Sequence, residues 1–518
     1  MINLKNTVLG IELGSTRIKA VLIDESHVPI ANGVFEWNDH LEDGIWSYSL
    51  DEVHHGLQAC IKNLKEDLLK TNGTVLTTAG AIGISAMMHG YLVFDKDGSQ
   101  LVPFRTWKNT ITGEAAKELS ELFCFNIPQR WSIAHLHQAY LNREEHVGEI
   151  DHMTTLAGYI HQKISGQRVL GIGDASGMFP VDSATNDYRT DLIQKYEKLT
   201  GIDLRKILPK VLTAGENAGR LTAEGAQFLD PEGDLKAGIP LAPPEGDAGT
   251  GMTATNSVKV HTGNVSAGTS DFAMIVVEKE VGVHRELDMV TTPAGDPVAM
   301  VHCNNCTSDL NAWVQLFQEV TELAGMKISK SELFTTLFRK ALEGEKDCGG
   351  LMNINYISGE GVTDLDDGRP LFLRRPDASF DLANFMKAQL YSAISTLKIG
   401  LDILTQTEGV QIQSLCGHGG FFKTKGVGDL LLSAASGVPV KTMETAGEGG
   451  PYGMALLGAY LIRKEEGETL SDYLDNKVFA NIKTTEIMAA EEDISGFAAF
   501  LEDYKKALAV EKAAVKYW

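Results

Sequence analysis

The hydrophobic pattern at the amino terminus predicts an antiparallel hairpin followed by a third strand. Residues 8–13 form one apolar run and residues 18–24 form a second, which is rich in β-branched side chains. The small residues Gly14-Ser15-Thr16 separate these two runs and are suited to a tight turn. A further apolar run at 30–37 has the length of a strand. We therefore expect three neighbouring strands at the start of the chain.

A long helix and further short strands follow the hairpin. Residues 51–71 carry apolar side chains at the three- and four-residue spacing of an amphipathic helix. Apolar runs at 81–85 and 91–94 predict two more strands, and the turn Asp97-Gly98 follows the second of them. The order β-β-β-α-β is typical of an α/β domain with a mixed sheet.

A similar pattern recurs in the second half of the chain. Strands predicted at 258–261 and 265–267 flank a turn at Thr262-Gly263-Asn264, and Gly268-Thr269-Ser270 precedes a strand at 272–277. Two small-residue loops beside apolar strands indicate two related α/β halves. Glycine and proline concentrate at 243–258, and we place the boundary between the halves there.

These patterns predict an amino-terminal domain over 1–250, a carboxy-terminal domain over 251–463 and a helical appendix over 464–518. Within the second half, helical spacing is found at 310–323, 330–342 and 380–405.

The last helix of the appendix has an apolar stripe on one face. That stripe either docks on the core or forms a surface for a partner. It consists of Phe497, Phe500, Leu501, Tyr504 and Leu508.

Composition excludes several classes of protein. The 518 residues are 43% hydrophobic and 22% charged, which is ordinary globular usage and excludes a disordered chain or a coiled coil. The net charge of −23 disfavours general binding to nucleic acid, because phosphate backbones are repelled by an acidic surface. No apolar run approaches the length of a membrane span, so we expect a cytoplasmic protein that does not insert into a membrane.

The six cysteines are too few and too scattered for a disulfide scaffold. Only Cys303 and Cys306 are close together, and a structural zinc site would need a second pair of ligands.

The first candidate for chemistry is the segment from Gly10 to Lys19. A strand delivers the Glu12 carboxylate, and Gly14, Ser15 and Thr16 then form a turn in which small side chains let the backbone approach an anion. Such a turn can contact phosphate oxygens, and the carboxylate can hold a divalent metal ion. The alternative is an ordinary hairpin turn.

Three later glycine loops have the same character. Gly268 and Thr269 follow one strand, Gly419 and Gly420 follow another, and Gly449 precedes a helix expected from residue 454. A glycine turn that leads into a helix amino terminus can bind phosphate or nucleotide. No P-loop sequence and no dinucleotide-binding fingerprint occurs in the chain.

Asp247 lies among glycines at the predicted junction of the two halves, where ligands often bind. A carboxylate at such a junction can accept a hydroxyl proton during phosphoryl transfer. The alternative is that Asp247 caps the helix that follows it.

Polar and aromatic residues at two further strand ends suit a small polyhydroxy ligand. These are Met88 and His89 after the strand at 81–85, and Trp107 and Lys108 further on. A single histidine after a strand is otherwise a structural residue with its hydrogen bonds satisfied.

Taken in order, these motifs resemble the FGGY family of carbohydrate kinases over most of the chain. The matching segments are GIELGSTRIKA, GISAMMHG, RTWKN, GDASGMFPVD, PEGDAGTG, VSAGTSDF, LCGHGGFFK and EGGPYGMALLGA. The resemblance implies an α/β fold of two actin-like (ribonuclease H-like) domains with a cleft between them. It also implies ATP-dependent phosphorylation of a sugar hydroxyl and, as in many relatives, a homodimer.

The resemblance assigns a role to each candidate residue. Asp247 would be the general base and Glu12 would lie near Mg²⁺. The residues implied to bind ATP are Gly14, Ser15, Thr16, Lys19, Gly268, Thr269, Gly419, Gly420 and Gly449. The residues implied to bind the sugar are Met88, His89, Trp107 and Lys108, together with Asp247.

The chain departs from the family pattern at three places in these motifs. Glu12 stands where the family has Asp, Met87 stands where xylulokinases have Gln, and Lys108-Asn109 stands where the family has Asn-Asp. The resemblance implies a kinase of a ketopentose such as xylulose or ribulose. The departures leave open the alternative, a non-catalytic nucleotide-binding sensor or scaffold on the same fold.

Overall fold

The computed structural model describes residues 2–443 and 449–518. Within them, two mixed sheets organise the chain, as the sequence predicts for an α/β fold. We call the part of the chain up to Ala254, which is built on the first sheet, the first lobe. The part from Thr262 onward, which begins with the second sheet, is the second lobe. None of the helices in the described residues is long and apolar enough to cross a membrane.

The first lobe contains the predicted strands and long helix, with two further short strands between the third strand and that helix. Its elements are β1 (Val8–Leu13), β2 (Arg17–Ile23), β3 (Pro29–Glu36), β4 (His40–Glu42), β5 (Ile45–Ser47), α1 (Leu50–Asn72), β6 (Ala81–Ala86), β7 (Leu92–Phe94), α2 (Gly113–Phe123), α3 (Ser132–Leu141), β8 (His152–Thr154), α4 (Leu156–Ser165), β9 (Val169–Gly171), α5 (Ile172–Ser176), β10 (Val181–Asp182), β11 (Asp187–Tyr188), α6 (Thr190–Thr200), α7 (Leu204–Ile207), β12 (Lys210–Leu212), α8 (Ala223–Leu229), β13 (Glu245–Gly246) and α9 (Asp247–Ala254).

The first sheet has the strand order β13-β6-β1-β2-β3. β1 pairs antiparallel with β2 and parallel with β6, so the predicted hairpin and the predicted mixed sheet are both confirmed. α1 packs on β3, and a capping box between Ser49 and Glu52 fixes its start. Gly73 in the left-handed conformation ends this helix. The short strand β7 lies outside the first sheet and pairs with β8.

The elements after the first lobe are β14 (Thr262–Ala267), β15 (Asp271–Val276), β16 (Leu287–Thr291), β17 (Pro297–Cys303), α10 (Ser308–Leu323), α11 (Lys330–Ala341), β18 (Leu351–Ile354), β19 (Leu371–Arg374), α12 (Leu382–Asp402), β20 (Ser414–His418), α13 (Gly428–Ser436), β21 (Val440–Met443), α14 (Gly450–Arg463), α15 (Leu470–Tyr473), β22 (Thr484–Ile487) and α16 (Glu491–Tyr517). The second sheet has the order β16-β17-β15-β14-β20-β21-β22.

One prediction for the second lobe is wrong. Residues 258–261 form no strand, and the turn expected at Thr262-Gly263-Asn264 is instead the first half of β14. His261 has a positive φ of 70°, which is incompatible with a strand. Gly263 permits close packing of β14 on β15, because a Cβ atom there would lie 2.4 Å from the Met274 carbonyl oxygen. The turn of this hairpin is Gly268-Thr269-Ser270, as expected.

Helix α14 returns to the first lobe and packs on β1, β6 and α9. Glycines make this close approach possible on both sides of the contact. A Cβ atom on Gly10 of β1 would lie 2.0 Å from the Pro451 carbonyl oxygen, and one on Gly453 would lie 1.9 Å from the Thr250 carbonyl oxygen. The amino terminus of α14 is thereby held beside the ends of β1 and α9.

The last helix, α16, docks on α12, α13 and β18. Phe497, Phe500, Leu501 and Tyr504 are buried there and Leu508 is partly buried. The predicted apolar stripe is therefore part of the core of the second lobe.

Candidate active site

Glu12 lies near the end of β1, flanked in register by Lys19 on β2 and Ser85 on β6. Its carboxylate contacts the amino terminus of α14 so closely that a Cβ atom on Gly450 would lie 1.9 Å from Glu12 Oε1. Burial is the main cause that raises the pKa of Glu12 to about 7, and the negative charge of Asp247 adds to it while Lys19 opposes it. Glu12 and Asp247 therefore act on each other electrostatically.

Aromatic side chains hold the first loop, Gly14-Ser15-Thr16, in one shape. Trp37 Nε1–H donates to the Gly14 carbonyl at 2.7 Å, and the Tyr48 hydroxyl donates to the Ser15 carbonyl at 2.5 Å. Trp107 Nε1–H donates to Ser15 Oγ at 3.3 Å. The segment expected to bind sugar is thus joined directly to the loop expected to bind phosphate.

Asp247 is the first residue of α9, a helix that contacts both β6 of the first sheet and β14 of the second. The N-cap of this helix is Gly246, so Asp247 does not occupy the capping position. Its side chain is exposed, and Oδ1 accepts a hydrogen bond of 3.2 Å from the Met88 amide. The surrounding protein displaces water and raises the pKa of Asp247 to about 6, against the effect of the Met88 amide.

Two further carboxylates near Asp247 were not singled out from the sequence. Asp174 is fully buried, accepts from Thr155 Oγ1 at 2.6 Å, and has a pKa raised to about 7 by burial and then by Asp247. Glu245 accepts from the Gly173 and Asp174 amides at 3.3 and 3.0 Å, and burial raises its pKa to about 8. The signal that could have identified them is an acidic residue inside an otherwise small and apolar segment.

His89 is buried and has a positive φ of 69°. Its Nδ1 atom donates to the Gly177 carbonyl at 3.0 Å, and its Nε2 atom accepts from Arg130 Nε–H at 3.3 Å. Burial and then the Arg130 charge lower the pKa of His89 to about 3, so the ring is neutral near pH 7. Both ring nitrogens already have protein partners.

A cavity of about 420 Å³ lies between the two lobes, and two of its lining residues, Trp107 and Arg130, are hydrogen-bonded to Ser15 of the first loop and to His89, respectively. The first lobe lines it with Trp107, Lys108 and Arg130, and the second lobe lines it with residues that include Asp288 and His302. Its polar lining and its position between lobes are typical of a small-molecule site.

Lys108 and Asn109 have structural partners at the edge of this cavity. Lys108 Nζ forms an ion pair with Asp39 at 2.5 Å and lies 4.9 Å from the centre of the Trp46 ring. Asn109 is buried and exchanges hydrogen bonds of 2.8 and 2.9 Å with the backbone of Trp46. Asn109 therefore fixes the β4–β5 hairpin against the Trp107 segment.

The second loop is shaped by the residues after β17. The Gly268 carbonyl accepts from the Thr307 amide at 3.0 Å, and the Thr269 carbonyl accepts from the Cys306 amide at 3.0 Å. Gly268 itself faces open space, since no atom lies within 4 Å of a Cβ placed there. A phosphate group could therefore approach this turn without a clash.

Gly419 and Gly420 lie beside the end of β14, next to the second loop. Gly419 has a φ of 98°, and a Cβ atom there would lie 2.4 Å from the Ala267 carbonyl oxygen, so only glycine fits. Gly420 faces open space. Gly449 is the N-cap of α14 with a φ of 70°, and Lys19 Nζ lies 3.9 Å from its Cβ position. The residues 447 and 448 of this predicted motif lie outside the described part of the chain.

The donor set suits Mg²⁺ held jointly with phosphate rather than by protein alone. In residues 2–443 and 449–518, no group of three or more histidine, cysteine, aspartate and glutamate side chains could hold a metal ion. Mg²⁺ is commonly bound through one or two carboxylates together with substrate phosphates and water. Glu12 provides one such carboxylate.

Family models match most of the chain. Residues 7–252 match the amino-terminal domain of the FGGY family of carbohydrate kinases, and residues 263–462 match its carboxy-terminal domain. A xylulose kinase of Staphylococcus xylosus is 22% identical over 478 residues, which are 87% of this chain and 90% of the relative.

Solved structures show the same two-domain α/β fold. A ligand-bound xylulose kinase from Lactobacillus acidophilus superposes with a TM-score of 0.80 at 15% identity, covering 97% of this chain and 98% of its own. A gluconate kinase from the same organism gives a TM-score of 0.79 at 15% identity, with coverage of 97% and 98%.

Proposed function

Because this chain belongs to the FGGY family and is a carbohydrate kinase, we propose that it transfers the γ-phosphoryl group of ATP to a hydroxyl of a ketopentose such as xylulose or ribulose. The finding that carries the proposal is the position of Asp247. An accessible carboxylate with a pKa near 6 stands at the start of a helix that contacts both sheets, beside Glu12 and the Met88 amide.

Asp247 is suited to act as the general base. A pKa of about 6 leaves it ionised at neutral pH but keeps it a better proton acceptor than an ordinary aspartate. The Met88 amide fixes the direction of one carboxylate oxygen, and the other remains for the sugar hydroxyl. Phosphoryl transfer depends mainly on such positioning and on charge neutralisation.

The loops around Asp247 would hold the donor. The first loop and Lys19, with Gly268 and Thr269, would contact the phosphates, and the Gly419–Gly420 and Gly449 turns would contact the nucleoside. Glu12 would hold Mg²⁺, which when bound neutralises phosphate charge and fixes the direction of the transferred group.

Sugar-dependent release of ADP tests the proposal. The screen includes xylulose, ribulose, the corresponding pentitols, glycerol and gluconate, each with Mg-ATP. We expect ADP release to depend on a ketopentose. Tight ATP binding with no sugar-dependent ADP release for any compound would instead support a non-catalytic nucleotide sensor or scaffold.

A further inference from the structure

We propose that Arg130 determines acceptor specificity by donating a hydrogen bond to the carbonyl oxygen of a neutral ketose, an inference that rests on the proposed function. Arg130 lies in the loop before α3 and lines the cavity between the lobes. It is therefore in a position to meet an acceptor in that cavity.

Two fixed partners orient the guanidinium. Arg130 Nε–H donates to His89 Nε2 at 3.3 Å, and Nη2 forms a close ion pair with Asp288 on β16 of the second lobe. Asn126 Nδ2–H donates to the other oxygen of Asp288 at 3.0 Å and holds that carboxylate in turn. Within the described residues, Nη1 of Arg130 has no protein acceptor, so its hydrogens remain for a ligand.

His89 acts in this arrangement as a positioning residue. Its Nδ1–H is bonded to the Gly177 carbonyl, which leaves Nε2 as the acceptor for Arg130. Because both ring nitrogens of His89 already have protein partners, the imidazole does not bind the acceptor. The group that can donate a hydrogen bond to the acceptor is the Arg130 guanidinium.

The charges around the cavity favour a neutral acceptor over a sugar acid. Each cationic side chain that lines the cavity is paired with a carboxylate: Arg130 with Asp288, Lys108 with Asp39, and Arg285 with Asp364. Glu286 adds a further negative charge to the lining. A carboxylate ligand would therefore meet no net positive charge, whereas a carbonyl oxygen needs only a hydrogen-bond donor.

The first test measures binding by titration calorimetry of xylulose and of xylitol, which lacks the carbonyl group. In the wild type, xylulose should bind about 10- to 100-fold more tightly, as for a hydrogen bond from a charged donor. Arg130→Met should reduce that ratio towards one. Equal losses for xylulose and xylitol, or an unchanged ratio, would overturn the proposal.

Arg189→Met is the matched control. Arg189 also pairs across the lobes, with Glu280 at 3.4 Å, but it does not line the cavity. We expect the ratio of xylulose to xylitol affinity to be unchanged in this variant. Arg130→Met leaves the buried Asp288 carboxylate without its charged partner. The double variant Arg130→Met/Asp288→Asn also removes that charge, and we expect it to lose the preference for xylulose over xylitol in the same way.

The second test uses Asp288→Asn alone, which leaves the Arg130 charge without its partner. Gluconate should then bind at least 10-fold more tightly than to the wild type, while xylulose binding changes less. An unchanged affinity for gluconate in Asp288→Asn would contradict the proposed role of the Arg130–Asp288 ion pair.

Binding and turnover separate the two proposals. If the wild type binds xylulose in preference to xylitol but releases no ADP, the proposed function fails and the role of Arg130 is still decided by the variants. If the wild type makes no distinction between xylulose and xylitol, the role of Arg130 is refuted even where turnover is found.

Discussion

Asp247 combines access to solvent with a raised pKa, which is the combination that a general base needs. Asp247→Asn keeps the shape of the residue and an oxygen that can accept the hydrogen bond from the Met88 amide. It removes the carboxylate that would accept the proton. We expect turnover to fall about 10²- to 10⁴-fold with sugar and ATP binding retained. In the wild type, turnover should fall as the pH drops below about 6, because protonated Asp247 cannot accept a proton.

Initial rates and calorimetric binding of the two proteins check this expectation. The N-cap of α9 is Gly246, so the substitution should leave the melting temperature nearly unchanged. Near-normal turnover in Asp247→Asn would remove this residue from the mechanism.

Glu12 gives a second prediction at the residue scale. Glu12→Gln removes the charge that would hold Mg²⁺, so we expect a higher Mg²⁺ requirement and a lower maximal rate. Glu12→Asp should lower the maximal rate less than Glu12→Gln does, because the negative charge is kept. The shorter side chain no longer reaches the contact beside Gly450. Rate against Mg²⁺ concentration for the three proteins is the measurement, and identical curves for wild type and Glu12→Gln would exclude Glu12 from the metal site.

At the residue scale, sequence reasoning reached the residues that lie in short glycine-rich motifs. It did not reach Arg130, whose importance depends on His89 and on Asp288, a residue of the other lobe. It also gave no role to Glu245, which lies in the quoted segment PEGDAGTG but bonds to the amides of α5. Such partners are brought together only by the tertiary fold, and no local spacing marks them.

At the element scale, the packing of α14 on α9 depends on Gly453. Gly453→Ala would place a methyl group 1.9 Å from the Thr250 carbonyl oxygen, which is backbone and cannot move aside by rotating a side chain. We expect the free energy of unfolding to fall by about 1–3 kcal/mol or more.

Gly113→Ala is the matched control for this substitution. Gly113 is the first residue of α2, and its nearest neighbouring atom is 3.8 Å from the Cβ position. This variant should be neutral or gain up to about 1 kcal/mol from helix propensity. The measurement is the free energy of unfolding in denaturant for both variants and the wild type. Equal values for Gly453→Ala and Gly113→Ala would contradict the packing argument.

Strands and helices with strong periodicity were predictable, whereas β14 was not. Thr262-Gly263-Asn264 has the composition of a turn, yet each of these residues is paired in the second sheet. Asn264 is buried and donates to His418 at 3.2 Å, so a tertiary partner offsets its poor strand propensity. Local composition cannot reveal a partner on a distant strand.

At the scale of the whole molecule, the buried carboxyl groups make stability depend on pH. Burial raises the folded-state pKa of Asp174 to about 7 and of Glu245 to about 8, above the values near 4 of an unfolded chain. Between these values the two carboxyl groups hold more protons in the folded protein than in the unfolded one, so their contribution to stability falls as the pH rises from about 4 to about 8.

We therefore expect the stability gained on Glu245→Gln, which mimics the protonated acid, to be larger near pH 8 than near pH 5. Melting temperatures of the wild type and of this variant at the two pH values are the measurement. A difference in melting temperature between the two proteins that does not change from pH 5 to pH 8 would contradict the raised pKa of Glu245.

The two-lobe α/β architecture was predictable because the strand–turn–strand pattern occurs in both halves. The sequence did not predict that α14 returns to the first sheet. It also did not predict that residues of both lobes pack in one core. One buried cluster contains Val8 and Met178 together with Val290 and Met300, and such long-range packing leaves no periodic signal in the sequence.

The hydrogen bonds from Trp37 and Trp107 to the first loop give the protein a built-in optical reporter. An indole whose N–H group is bonded to a loop changes its emission when the loop moves or when a charged group arrives beside it. The chain has six tryptophans, and two of them are fixed to this one turn of three residues. Nucleotide and acceptor binding should therefore be readable from intrinsic fluorescence without any label, and in Trp107→Phe the indole still bonded to this turn is that of Trp37.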